Sequence, residues 1–303
     1  MLNFSPRIVA SLFACFLAFA TCSVAVCAQN ASSPLTAAEA IERIVKATGA
    51  TLPPGTVDTI KAGDPTTVVT GIATTFSPTM DVLRKAVADG DNLIVTHEPT
   101  FYNHLDQATL FTDDPVYKEK LAYIQEHHLV IWRFHDTWHL RNPDGIAEGF
   151  AAQTGLTKFE NPGPADEKGF FFTVPQTTVE ALAKSLQRSL HAKAIRIVGD
   201  AGMKVTHVGY APGASGEAEH VKMLKRDDVE VLLVGEAPEW ETILYTRDAQ
   251  LQGRHKALIL LGHNSSEEPG MDNCATWLRT VLPGIKVKFI PAGEPYWPLP
   301  SEK

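Results

Sequence analysis

Apolar and polar positions change period repeatedly along the chain. Thr36-x-x-Glu39 has the form of a capping box, Ile41, Ile44 and Val45 follow at helical spacing, and Gly49 supplies a stop, so a helix is predicted there. A Pro53-Pro-Gly55 turn follows. Residues 67–73 read as a strand and 79–89 as a helix with Val82, Leu83 and Val87 inward. Residues 92–96 form a short apolar strand, 116–128 a helix, 129–134 a strand, and 143–155 a helix with proline near its start. The second half continues in the same way. Strands are predicted at 169–174, 194–198, 205–210, 229–234, 256–261 and 286–290, with helices at 178–190, 216–224, 238–253 and 271–281. This alternation argues for an α/β architecture with mixed sheets. The polar Asn161-Pro-Gly-Pro stretch to Lys168 is the best internal boundary, giving an N-terminal part, 29–160, and a C-terminal part, 161–303.

Residues 1–28 resemble a secretory signal peptide. Arg7 gives a positive start, 8–25 is apolar and uncharged, and Val26-Cys27-Ala28 places small residues before a cut. An uncleaved anchor is the alternative, but Ala and Ser dilute the apolar run. Cleavage removes Cys15, Cys22 and Cys27, so the remaining Cys274 has no internal disulfide partner. The expectation is an exported protein, periplasmic or secreted, with no stable membrane association. The net charge is -8 with no Lys/Arg cluster, which argues against nucleic-acid binding.

The histidines gather where apolar strands end. Leu93-Ile-Val-Thr leads into His97-Glu98, Leu129-Val-Ile-Trp-Arg-Phe into His135-Asp-Thr-Trp-His139, and Leu258-Ile-Leu-Leu-Gly into His263-Asn-Ser-Ser-Glu267. If these strands are parallel neighbours, their carboxyl ends converge, where α/β sheets bind ligands. Imidazoles and carboxylates together suit Zn, Mn or Fe. No His-Glu-x-x-His helix is present, so a zincin protease is not indicated. His127, His128 and His191 are explained by helix C-termini. The Pro212–Gly216 turn lacks a P-loop ending and reads as an ordinary strand-to-helix turn. Cys274 reads as packing. Trp132 and Trp138 suit either a substrate pocket or the core.

Taken in order, these segments resemble the Nif-three-like proteins, also called GTP cyclohydrolase 1 type 2 homologues or dinuclear-metal-centre hexameric proteins. The resemblance spans 37–293. Thr96-His-Glu-Pro99 resembles the family's His-His-Pro, and His135-Asp-Thr-Trp-His139 with Pro143-Asp-Gly145 resembles its Ala-His-Thr-x-x-Asp region. Val208–Gly216 resembles its strand and Gly-Ser-Gly turn, Leu233-Val-Gly-Glu236 its Thr-Gly-Glu segment, and Gly262-His-x-x-x-Glu267 its Gly-His-x-x-x-Glu motif. Two positions depart: Glu98 replaces the second His, and His139 stands where the family has Asp.

The resemblance implies two α/β lobes with a dinuclear metal site between them, and a homohexamer. It implies His97, His263 and Glu267 as ligands of divalent ions, two per chain, and with Glu98 and His139 at the departing positions the expected ligand set is His97, Glu98, His139, His263 and Glu267. A neutral imidazole normally binds one ion, so a bridge falls to Glu98 or Glu267. His135 and Asp136 are the catalytic candidates, as proton relay and general base, and His104 is a spare imidazole. The leading expectation is a metal-dependent hydrolase of unknown small-molecule substrate. An exported protein would not meet cytoplasmic GTP, which counts against that substrate. The rival is a non-catalytic metal-binding or scaffold hexamer.

Overall fold

The computed structural model describes residues 34–161 and 170–299. The signal-like segment 1–28 and most of the 161–168 boundary lie outside the described residues. Residues from Pro34 onward form one compact unit.

The first half comprises α1 (Ala37–Thr48), β1 (Ile60–Ala62), β2 (Ile72–Thr75), α2 (Met80–Asp89), β3 (Leu93–Thr96), α3 (Pro115–Glu126), β4 (Val130–Arg133), α4 (Asp136–Leu140) and α5 (Gly145–Thr154). The second comprises β5 (Glu160–Asn161), β6 (Phe170–Thr178), α6 (Val179–Ser189), β7 (Arg196–Val198), β8 (Lys204–Ala211), α7 (Glu217–Leu224), β9 (Val231–Val234), α8 (Leu244–Leu251), β10 (Ala257–Leu260), α9 (His263–Val281) and β11 (Val287–Phe289). Two mixed sheets result, ordered β1-β4-β3-β2-β11 and β5-β6-β8-β9-β10-β7.

The predicted capping box forms. Glu39 N donates to Thr36 Oγ1 at 3.3 Å, Thr36 N donates to Glu39 Oε2 at 2.9 Å, and Gly49 closes the helix at φ 68°. The strand expected at 67–73 lies later, at Ile72–Thr75. Residues 67–69 pair instead with the entry to α1, through Ala37 N to Thr67 O and Val69 N to Leu35 O, both 2.8 Å.

β2, β3 and β4 run parallel, and every residue of each is buried. Uninterrupted apolar runs are what a parallel sheet covered on both faces requires. Leu93, Val95, Val130 and Trp132 face one core, whereas Ile94 and Ile131 face another. The second sheet is covered likewise, with Leu233 and Ile259 on one side and Leu232 and Leu258 on the other. Helix α9 joins the two sheets. It leaves β10 of the second sheet, and its Met271, Cys274 and Leu278 pack into a core of the first. The chain then ends on β11, paired with β2. Among the described residues, no helix is long and apolar enough to cross a membrane.

Candidate metal centre

The carboxyl end of β3 delivers His97 and Glu98, whose backbone amides donate to Thr75 O and Phe76 O at 3.2 and 2.8 Å. β4 is its parallel neighbour and delivers His135. The chain then turns into α4, a short helix absent from the sequence expectation. There, i,i+4 spacing sets His139 beside His135, with ring centroids 4.9 Å apart. β10 belongs to the other sheet, so the three strands are not neighbours as the sequence reading supposed. Their carboxyl ends converge nonetheless, with Glu98 Oε1 3.4 Å from His263 Nε2 and His97 Nε2 3.5 Å from Glu267 Oε2.

α9 begins at His263, eight residues before the predicted start, and runs through Pro269. Proline normally breaks a helix interior. Here Gly149 and Gly270 let α5 and α9 pack backbone to backbone around Pro269. His263 and Glu267 are thereby placed one turn apart, with Nε2 and Oε2 separated by 3.0 Å.

The result is a cluster of His97, Glu98, His135, His139, His263 and Glu267. The His97 ring lies 4.5 Å from His135 and 5.0 Å from His139. Its Nε2 is 3.5 Å from Glu267 Oε2. Glu98 Oε1 lies 3.4 Å from His263 Nε2 and 3.9 Å from His135 Nε2. Two groups present donor atoms within 4.8 Å of one another: His97, His135 and His139, and His97, Glu98 and Glu267. His97 is fully buried, and neither of its ring nitrogens makes a hydrogen bond; Glu267 Oε2 makes none either, although the His263 and His97 rings lie 3.0 and 3.5 Å from it. Buried polar atoms are ordinarily paired, so these orphans point to something further that completes them.

The wider comparison agrees with this architecture. The model of the Duf34/NIF3 family (NGG1p interacting factor 3) matches residues 55–295. The chain belongs to the Duf34/NIF3 family. No curated protein matches it. A Bacillus cereus protein related to NIF3 is similar in structure at TM-score 0.70 and 14% identity, over 88% of this chain and 99% of that one. A Staphylococcus aureus hypothetical protein gives 0.69 and 16%, over 88% and 100%. Reduced HcgD from Methanocaldococcus jannaschii gives 0.58 and 15%, over 84% and 97%. At these identities the likeness concerns the fold.

In this Duf34/NIF3 chain, carboxylates hold the imidazoles from behind. His135 Nδ1 donates to Asp136 Oδ1 at 3.0 Å, and His139 Nδ1 to Asp144 Oδ2 at 2.8 Å. His263 Nδ1 lies 3.4 Å from Glu236 Oε1. Each arrangement leaves Nε2 for the cluster, the pattern by which carboxylates orient metal-binding histidines. Asp136 is engaged on both oxygens, since Oδ2 accepts from Thr56 Oγ1 and Val57 N at 2.8 and 3.2 Å.

Several supporting residues had no signal in the sequence reading. Asp58 caps α4 from 77 residues away: its Oδ1 accepts from His135 N and Asp136 N at 2.8 Å, and Oδ2 from Thr137 N and Oγ1. Asp144 caps α5 through Ile146 N and Ala147 N at 2.8 and 3.0 Å while it holds His139. Fully buried Arg133 donates to His97 O at 3.0 Å and to His104 O, and lies 3.4 Å from Glu98 Oε2. It fixes the segment carrying both β3 donors. Gly213, at φ 59°, belongs to the turn read as ordinary. It abuts the cluster so closely that a Cβ there would collide with Glu267 Oε1. His104 stands farther out, its ring 6.5 Å from His135. Trp132 and Trp138 are buried in the core. Cys274 is buried too, and burial pushes its thiol up.

The cluster splits its titrations. Burial, with His97 and His139 nearby, pushes His135 down to about 3. Burial opposes charge on His139 as well, but Asp144, Glu267 and Glu98 outweigh it and raise the ring to about 9. Burial is likewise outweighed at His263, where Glu236, Glu267 and Glu98 push it up to about 12. Glu267 is held well below its ordinary value by His97 and His263, against its burial.

Proposed function

We propose that this Duf34/NIF3 protein binds two divalent ions per chain, Zn, Mn or Fe, and is a metal-dependent hydrolase of an exported compartment. The observation that carries the reading is the buried His97, neither of whose ring nitrogens makes a hydrogen bond, beside Glu267 Oε2 at 3.5 Å from its Nε2. His97, Glu98, His139, His263 and Glu267 are the ligands. The mixed nitrogen and oxygen set suits these metals. Glu98 would help to hold the ions, its Oε1 lying 3.9 Å from His135 Nε2 and 3.4 Å from His263 Nε2.

When bound, a divalent pair lowers the pKa of a coordinated water and polarises a scissile carbonyl or phosphoryl group. The protein's own groups do the remainder. Arg133 holds Glu98 in place, and Asp144 fixes the His139 ring. His135 is pushed down to about 3 and stays neutral across the physiological range, which leaves its Nε2 lone pair for a metal and makes it a weak proton acceptor. Asp136 sets the His135 tautomer and stands as the reserve base. The homohexamer and export through the 1–28 segment belong to the same proposal.

The test is a panel of chromogenic esters and phosphodiesters assayed with Mn or Zn. Turnover that requires metal and is abolished in Glu267→Gln supports a hydrolase. Metal bound with no turnover of any member would leave the non-catalytic hexamer.

A further inference from the structure

A pocket of about 570 Å³ opens beside the cluster, lined by Glu98, Thr100, Tyr102, His104 and Lys120, with Met80 and Ser77 among its other walls. Its floor carries a buried cation. Lys120 projects from α3, is 4% exposed, and donates from Nζ to Thr100 O at 2.7 Å. The Tyr102 ring centroid lies 5.1 Å from the same nitrogen. Among the described residues, no carboxylate comes within 4.0 Å of it.

The acid whose charge bears on Lys120 is Asp106, whose Oδ2 is buried without a hydrogen bond. Its Oδ1 accepts from Thr100 N and Phe101 N at 2.6 and 2.7 Å, and its Oδ2 lies 3.7 and 3.9 Å from Lys61 and Arg133. A buried ammonium has three donors to satisfy, and one carbonyl takes only one. A second group is also left over: Thr100 is 1% exposed and its hydroxyl has no partner. Burial pushes Lys120 down to about 8, so it still carries most of its charge at neutral pH.

We propose that this pocket is the anchoring subsite of the substrate, and that Lys120 and the Thr100 hydroxyl hold an oxyanion on it, a carboxylate or a phosphate. The inference rests on the hydrolase reading only in taking Glu98 as part of the reacting centre. An oxygen-rich anion supplies the acceptors Lys120 lacks and the partner Thr100 lacks. The exposed Tyr102 ring gives a wall for an adjoining planar or apolar part of the same molecule. The bond to be cleaved then lies on the side of the anion facing Glu98.

The test is calorimetric titration of the full chain, after chelation, with inorganic phosphate and separately with acetate. Chelation ensures that neither anion is counted at a metal. We expect saturable binding of one of the two, and the tighter names the anion class. Lys120→Met should weaken it by about tenfold or more, Thr100→Val severalfold, and Lys120→Arg much less, in line with the worth of a charged hydrogen bond. If Lys120→Met does not fold, Thr100→Val decides alone, because it removes the hydroxyl without changing shape. Equal affinity in the wild type and the decisive variant, or no saturation by either anion, overturns the proposal. Metal content is measured separately on unchelated protein, so a chain without metal sinks the hydrolase reading while the anion result stands on its own.

Discussion

Asp144 and His139 are five residues apart, and the carboxylate does two tasks at once. One oxygen caps α5, and the other holds His139 Nδ1 at 2.8 Å. The two functions can be separated. Asp144→Asn keeps a cap-competent oxygen but removes the charge behind the ring. It should lower metal affinity by about 10–100-fold, and it should lower the stability of the metal-free protein at neutral pH, because the charge that does most to raise the His139 pKa against its burial is gone. Asp144→Ala should add a loss of about 1 kcal/mol from the missing cap. Competitive metal titration and urea unfolding check both. Equal metal affinity in the wild type and Asp144→Asn would show that the carboxylate is only a cap.

Asp58 serves the neighbouring helix. Four donors of 135–137 converge on it, and it is buried. Asp58→Ala strands those groups and should cost about 2–4 kcal/mol of unfolding free energy. Urea denaturation measures it. A change under about 0.5 kcal/mol, the range of an inert surface site, would contradict the role.

Gly213 lies hard against Glu267 at a positive φ of 59°. Gly213→Ala adds a Cβ that must displace the Glu267 carboxylate, and the backbone there disfavours any side chain. Destabilisation of about 1–3 kcal/mol is expected, together with reduced metal capacity. Thermal unfolding and elemental analysis of the variant read the two effects separately.

The split titrations give the metal-free protein a stability maximum near neutrality. His139 is raised to about 9, so its contribution is full below the unfolded value of about 6.5 and fades as pH rises through about 9. His135 is lowered to about 3, so the unfolded chain takes up its proton first and stability falls as pH drops below about 6.5. Glu267, held below its ordinary value, adds a further loss as acid reaches its depressed pKa. Unfolding midpoints of chelated protein across pH should therefore form a dome. Metal binding at neutral pH should also release protons from His139 and His263, which calorimetry in buffers of different ionisation enthalpy detects. A flat stability profile would contradict this electrostatic account.

The elements that come from local pattern were legible in the sequence. The capping box at Thr36, the apolar strands of β3, β4 and β10, and the histidines at their ends all follow from periodicity and residue type. The assembly of those ends was less so. β10 lies in the other sheet, and nothing in Leu258–Leu261 distinguishes that placement from a neighbour of β4. The start of α9 was hidden because Pro269 argues locally for a break, and the backbone of α5 that packs against it at Gly149 is far away in sequence. Asp58 and Arg133 were missed for a similar reason. Their partners lie tens of residues away, and an Asp in a loop or an Arg ending an apolar strand carries no sign of its partner.

The most direct test of the metal centre is elemental analysis of gently purified protein beside a His263→Ala/Glu267→Ala variant. About two divalent ions per chain are expected, lost in the variant. No metal in the wild type, even after reconstitution with Zn, Mn and Fe, would contradict that expectation.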